Sequence, residues 1–384
     1  MKKMMLALFV LALTGFSFAQ EIDVDRNGLH DVTGAIVEGQ SYVNPYAEAP
    51  VYTISLGGLG IQGCNSATWE CDGKTKAANG AFGYLWVGDS WNGIVYKIDT
   101  VAQAVVNSFG VPGADGLGWD GRHLLCVSSA TNTVSLVDPV SGAVVGSAPV
   151  TAGWPHGICW KVAQTPSLDQ YMWEPDFNTS IIDQAIYFTG TSAFSFPGPG
   201  TDIGSLADGW RVWISSFGAS TYFQYDVASG ANIGSLNVGA VNGNPRDGTW
   251  DGHHLWDVTW ENNSWAWQWD LYQEIGTYIV TIAPNPKYQG VRPGDRVTIY
   301  VGIKNHASAS TQFKAKLEVY NSLGSLVIAQ GPTTVNLAAG QVLNYPWVKP
   351  VPNVAPGLFY VRGVVYDMNN NQIHEDWSVI EVLP

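Results

Sequence analysis

The chain has 384 residues, a formal net charge of −14 and only 13% charged residues. Such an acidic balance repels phosphate backbones, and the 18 basic residues are scattered rather than run together; nucleic acid is excluded as a partner and docking on anionic lipid is disfavoured. At roughly 100–200 residues per domain, the length implies two or three domains with cores of their own.

Residues 1–19 read as a secretory signal peptide. Lys2 and Lys3 open it, an apolar run follows over 4–13, and Ser17-Phe18-Ala19 supplies a small-x-small cleavage site. No later stretch reaches the ~18 apolar residues of a membrane helix. The expected location is therefore secreted, periplasmic or cell-surface, with no transmembrane segment.

Residues 20–49 form a leader with one dense motif, Asp23-Val-Asp25-Arg-Asn27-Gly28-Leu-His-Asp31. Alternating oxygen-bearing side chains around a glycine turn suit Ca²⁺, which takes several hard oxygen ligands. Asp23, Asp25, Asn27 and Asp31 are the candidate metal ligands, and a bound Ca²⁺ would be structural. Gly34 stands where an EF-hand carries its bidentate carboxylate, so the motif resembles the shorter loops of thrombospondin type 3 repeats. The alternative is a polar leader without an ion.

An internal repeat organises the middle of the chain. Asp115-Gly-Leu-Gly-Trp119-Asp-Gly precedes the strand from His123, and Asp247-Gly-Thr-Trp250-Asp-Gly precedes the strand from His254. Related strands start near Tyr84 and Arg211. Each leads through a turn to a third strand, as in Ile94-Val-Tyr-Lys-Ile-Asp99, and Gly142 or Gly230 then turns the chain into a fourth. The equivalent positions Leu85, Leu124, Val212 and Leu255 are separated by 39, 88 and 43 residues. The doubled middle step predicts one diverged unit over 157–190. Five four-stranded units are expected over 50–274, with four or six as the alternatives, and the strand near Val51 is expected to pair with the last unit and close the ring. From Gly276 onward seven strand candidates alternate apolar and polar residues, as in Val297-Thr-Ile299-Tyr-Val301-Gly-Ile303. The fold class expected is all-β: a β-propeller, then an Ig-like β-sandwich over 275–384.

The run Gly-Leu-Gly-Trp-Asp-Gly followed by an Asp-x-x-x-Gly turn resembles secreted bacterial propellers of the glutamine-cyclotransferase, SMP-30 and NHL or YVTN kind. The segments Pro293-Gly-Asp-Arg-Val-Thr and Ala355-Pro-Gly-Leu-Phe-Tyr360 resemble bacterial adhesion-related Ig-like modules, which implies a spacer or attachment role without catalytic residues. The first resemblance implies architecture more than activity, because propellers host many functions.

Residues entering the inner strands should converge at one mouth of the ring: Asn65, Asp115, His156, Asp202, Arg246 and Asp247. Such a ring of polar groups fits a bound ligand, or strand caps that bond only backbone. A general-base role for His156, oriented by Asp115 or Asp247, is the catalytic version. Among the 17 tryptophans, Trp86, Trp119, Trp213, Trp250 and Trp256 are expected in the core. Trp91, Trp154, Trp210 and Trp260 fall in or beside turns and are expected as platforms for a sugar ring or peptide side chain. Cys64 with Cys71 and Cys126 with Cys159 is one of three disulfide pairings four cysteines permit, and free buried thiols are the other expectation.

The reading is an extracellular binding or adhesion protein for a glycan or peptide. The enzymatic alternative is a glutaminyl cyclase, lactonase or lyase, although the Asn-Glu-Leu-Glu segment of the cyclases is missing. A structural surface-layer or matrix component is the third reading.

Overall fold

The computed structural model describes residues 49–76, 82–162, 170–207, 211–227, 229–251, 254–261, 263–269, 278–285, 291–305, 307 and 309–384. The signal peptide, the calcium motif and Trp210 lie outside the described residues.

Five four-stranded antiparallel sheets follow one another. The first comprises β2 (Cys64–Lys76), β3 (Phe82–Asp89), β4 (Ile94–Asp99) and β5 (Ala104–Gly110), after the short β1 (Tyr52–Ser55). The second comprises β6 (Gly116–Trp119), β7 (Leu124–Ser128), β8 (Thr133–Val137) and β9 (Val144–Pro149). The third, which carries no Trp-Asp-Gly signature, comprises β10 (Cys159–Val162), β11 (Gln170–Asp176), β12 (Ile181–Ile186) and β13 (Thr191–Pro197). The fourth comprises β14 (Asp202–Ala207), β15 (Val212–Ser216), β16 (Thr221–Tyr225) and β17 (Asn232–Asn237). The fifth has three strands of its own, β18 (Asp247–Trp250), β19 (Leu255–Thr259) and β20 (Trp265–Trp269), and β1 completes it by pairing antiparallel with β20 from Tyr52↔Gln268 to Ser55↔Trp265.

The repeated aspartates make the turns. Asp120 Oδ1 accepts the N–H groups of Arg122 and His123 at 2.7 and 2.6 Å, and Asp251 Oδ1 accepts that of His254 at 2.6 Å. Asp138 Oδ1 likewise takes Val140 and Ser141 N–H, and the turn then closes through Gly142 at φ 73°. A carboxylate that bonds the backbone two and three residues on is the local chemistry that folds an Asp-x-x-x-Gly segment back on itself.

Apolar residues fill the spaces between consecutive sheets. Trp86 and Val95 of the first meet Leu117, Leu124 and Cys126 of the second. Leu125 and Val127 meet Ile158 and Met172 of the third, whose Cys159 and Trp173 meet Val212 and Ile214 of the fourth. Trp213 and Tyr222 meet Leu255, Trp267 and Trp269 of the fifth, and Trp256 with Val258 returns to Trp69, Leu85 and Ile98 of the first. Each cluster is therefore shared by neighbouring sheets, and the succession ends where it began. The first strands contact one another in the same cyclic order. The result is a β-propeller-like body whose first strands surround an axis.

Two further sheets follow. One contains β21 (Tyr278–Asn285), β22 (Arg296–Asn305) and β25 (Val342–Pro350); the other contains β23 (Thr311–Asn321), β24 (Leu326–Leu337), β26 (Gly357–Tyr366) and β27 (Gln372–Val382). Ile299, Ile303 and Trp347 of the first share one core with Phe313, Val361 and Ile380 of the second. β27 rests on the propeller-like body, where Arg122 pairs with Glu381 at 2.6 Å and Trp377 packs with Trp160.

Of the two expectations for the cysteines, free thiols hold and the disulfides do not form. Cys64 and Cys71 both belong to β2, and seven residues of extended strand span roughly 23 Å, against the ~7 Å limit between Cα atoms of a disulfide. Cys64, Cys126 and Cys159 are buried free thiols, and burial pushes the Cys126 and Cys159 thiols up, the latter to about 12.

Candidate functional site

The first strands begin together at one end of the axis. Asn65 Nδ2 donates to the Asp115 backbone carbonyl at 3.3 Å and lies 3.5 Å from His156 Nδ1, joining three sheets whose residues are up to 91 positions apart. Glycines permit this crowding: a Cβ on Gly116 would lie 2.8 Å from Gly157 Cα, and one on Gly204 would lie 2.2 Å from Asp247 Oδ1.

Asp247 closes the neck below. It is 0% exposed, and its Oδ2 accepts Ala67 N–H at 3.1 Å. Burial raises its pKa well above the carboxylate range, while the N–H groups of Ala67, Gly248, Ser205 and Leu117 act in the opposite sense. Those amides come from four first strands, so Asp247 ties the ring together at its axis. It was expected at the mouth with the other polar groups; it lies fully buried there, and its Oδ1 meets no hydrogen-bond partner.

Arg246 extends the other way. Its guanidinium carbon lies 3.5 Å from the Trp260 ring and 4.2 Å from the Phe217 ring. Burial lowers its pKa to about 10, partly offset by Glu261. Trp260 in turn contacts Trp91, with ring centres 5.7 Å apart. On the other side Trp154 and Phe177 pack against His156 at 5.4 and 5.6 Å. Trp91 is 64% exposed and Trp154 39%. Two aromatic shelves thus flank a sunken polar floor.

Burial holds the His156 imidazole below its ordinary value; Asp115 opposes this, Arg246 adds to it, and Asp176 opposes it. The proposed orienting carboxylates are not placed for that task. Asp115 Oδ2 accepts Ser129 N–H and Oγ–H, both at 2.9 Å, and Asp247 is sealed beneath. The ring nitrogen of His156 meets an amide, Asn65, rather than a carboxylate.

Of the residues expected at this mouth, Asn65, Asp115, His156, Arg246, Trp91, Trp154 and Trp260 come together. Asp202 begins β14, and its side chain lies outside the described residues. Phe177 and Phe217 were not anticipated, yet they had a signal. Trp91, Phe177, Phe217 and Trp260 all stand one or two residues beyond the second strand of their sheets. The corresponding turn of the second sheet carries Ser129, the clamp on Asp115.

Beyond the neck the axis widens into a cavity of about 140 Å³, lined by Trp69, Trp119, Trp160 and Trp250 among others. His374 and Trp377 of β27 cover its far end. Trp119 and Trp250, expected only as packing, therefore also line the axis, whereas Trp86, Trp213 and Trp256 are fully buried between sheets. Among the described residues no group of three or more His, Cys, Asp or Glu side chains is arranged to hold a metal ion.

No family model and no curated relative matches the sequence. Solved structures similar to it include a Myxococcus xanthus glutaminyl cyclase, with 9% identity over 58% of this chain and 96% of that one, at a TM-score of 0.43. A Kuenenia stuttgartiensis hydrazine synthase shows 15% identity over 80% of this chain and 78% of that one, at 0.33. A protein of unknown function from Bacteroides caccae shows 15% identity over 50% and 69%, at 0.35. None of these values carries an inference about activity.

Proposed function

We propose that this chain is an exported ligand-binding protein in which a five-bladed propeller presents its mouth to a glycan, and an Ig-like sandwich spaces or attaches it. The observation that supports this is the pair of exposed aromatic shelves, Trp91 with Trp260 and Trp154 with Phe177, across a polar floor. Aromatic faces stack on the C–H faces of sugar rings, and a few buried polar groups fix orientation. The seven strands of the C-terminal part, in sheets of three and four, fit a spacer built without a pocket of catalytic groups. The Asp23–Asp31 motif would take a structural Ca²⁺.

A glycan array probed with the full chain tests the reading. Binding to a defined set of saccharides is expected, and Trp91→Ala and Trp154→Ala should each weaken it about tenfold, in line with the 1–2 kcal/mol a well-seated aromatic contact contributes. Unchanged binding in both variants would place the ligand elsewhere. Turnover of glutaminyl peptides or lactones that depends on His156 would replace the binding role with an enzymatic one.

A further inference from the structure

We infer that the mouth selects an acidic sugar, a uronic acid residue within a glycan, by seating its carboxylate on Arg246. The inference rests on the binding reading above and names its ligand class.

Arg246 is only 9% exposed, its Nε has no hydrogen-bond partner, and no carboxylate lies within ion-pair distance among the described residues. Its neighbours are the faces of Trp260 and Phe217. A sunken guanidinium with no carboxylate in contact, offset only at a distance by Glu261, is costly, and a ligand carboxylate relieves the cost with charge-assisted hydrogen bonds. Both rings lie close to the guanidinium carbon and hold it in place.

The carboxylates around it are already committed. Asp115 is bonded twice by Ser129. Asp89 takes Trp91 and Asn92 N–H, each at 3.1 Å, and Asp176 takes Gly153 N–H at 2.7 Å and Asn178 N–H at 2.9 Å. Glu261 accepts the Asn244 amide. These groups spend their oxygens on turns while keeping their charge, so an anionic ligand has to be held by direct contact with Arg246. The chain as a whole carries −14, so a general field does not gather anions here and the selection must be local.

A second unsatisfied group narrows the class. Asn65 is 2% exposed and its Oδ1 accepts no hydrogen bond, while its Nδ2 is used. That oxygen is enclosed on the floor of the mouth, and a sugar hydroxyl reaching it would supply the donor it lacks. Carboxylate, hydroxyl and an apolar ring face for Trp91 or Trp154 are combined in a uronic acid. Phosphate lacks the ring face, and a peptide C-terminus lacks hydroxyls beside its carboxylate.

The test is isothermal titration of the full chain with trigalacturonate, with its methyl ester, and with a tripeptide bearing a free C-terminus. The acid is expected to bind about ten- to a hundredfold tighter than the ester, the range for a hydrogen bond to a charged group. Arg246→Met should bring that ratio close to one, and Trp91→Ala should weaken both forms together. Because acid and ester are compared on the unaltered chain, the test stands even where a variant folds poorly. Equal binding of acid and ester would overturn the charge selection and leave the glycan reading standing. Preference for the tripeptide would overturn the ligand class, and no binding by any probe on a broad array would remove the binding reading as well.

Discussion

Deleting Tyr52–Leu56 is expected to abolish cooperative unfolding of the five-sheet body. These residues supply β1, the only strand of the fifth sheet drawn from the other end of the repeat, and Val51 N–H adds a further bond to Gln268 at 2.7 Å. Ile54 and Leu56 are fully buried in the cluster that joins the fifth sheet to the first. Two such side chains contribute about 1.5–3 kcal/mol each, and the lost ladder leaves β20 a raw edge beside the first sheet. The sum is on the order of 5 kcal/mol, comparable to the whole stability of many domains. Near-UV circular dichroism through a thermal ramp measures it: the deletion should give a broad or absent transition. A sharp transition at the wild-type midpoint would show that the ring does not depend on β1. Ile54→Asp, which places a charge in the same cluster, should lower the midpoint without removing the strand.

Asp247→Ala is expected to have the next largest effect. The substitution removes the acceptor of Ala67 N–H, the one hydrogen bond the carboxyl receives. Opposing this, the variant no longer carries a buried acid whose ionisation burial penalises. An orphaned buried donor costs about 1–3 kcal/mol, and a net cost of roughly 2 kcal/mol corresponds to a fall of about 5 °C in Tm for a body of this size. Asp247→Asn keeps one acceptor oxygen without the charge and should lose less than half as much. A melting midpoint within about 2 °C of wild type for the alanine variant would contradict the axial role.

Much of this architecture was legible because strand alternation and Asp-Gly turns are local chemistry. The strand Ile94–Asp99 and the pairing of β1 with the last sheet follow from period-2 patterning and from the count of strands. The third sheet was harder: its strands repeat none of the runs shared by the others, and the doubled spacing marked it. The cysteines keep to the free-thiol expectation because Cys64–Lys76 is one extended strand that keeps Cys64 and Cys71 apart. Arg246 and Asp247 illustrate what the repeat alone cannot separate. Adjacent residues at a strand entry point to opposite sides, so one stacks on Trp260 at the mouth while the other seals the neck. Which side is which depends on the close approach of Gly204 to Asp247, a contact between residues of different sheets.

The shared mouth itself is most directly tested at His156. NMR titration of its imidazole should give a pKa below the ordinary histidine value, since burial and the Arg246 charge both disfavour the protonated ring. In Arg246→Met the pKa should rise, although the two residues are separated by two repeats in sequence. A His156 that titrates at the same pH with and without the guanidinium would mean that the two sheets do not face one opening, and the site would come apart.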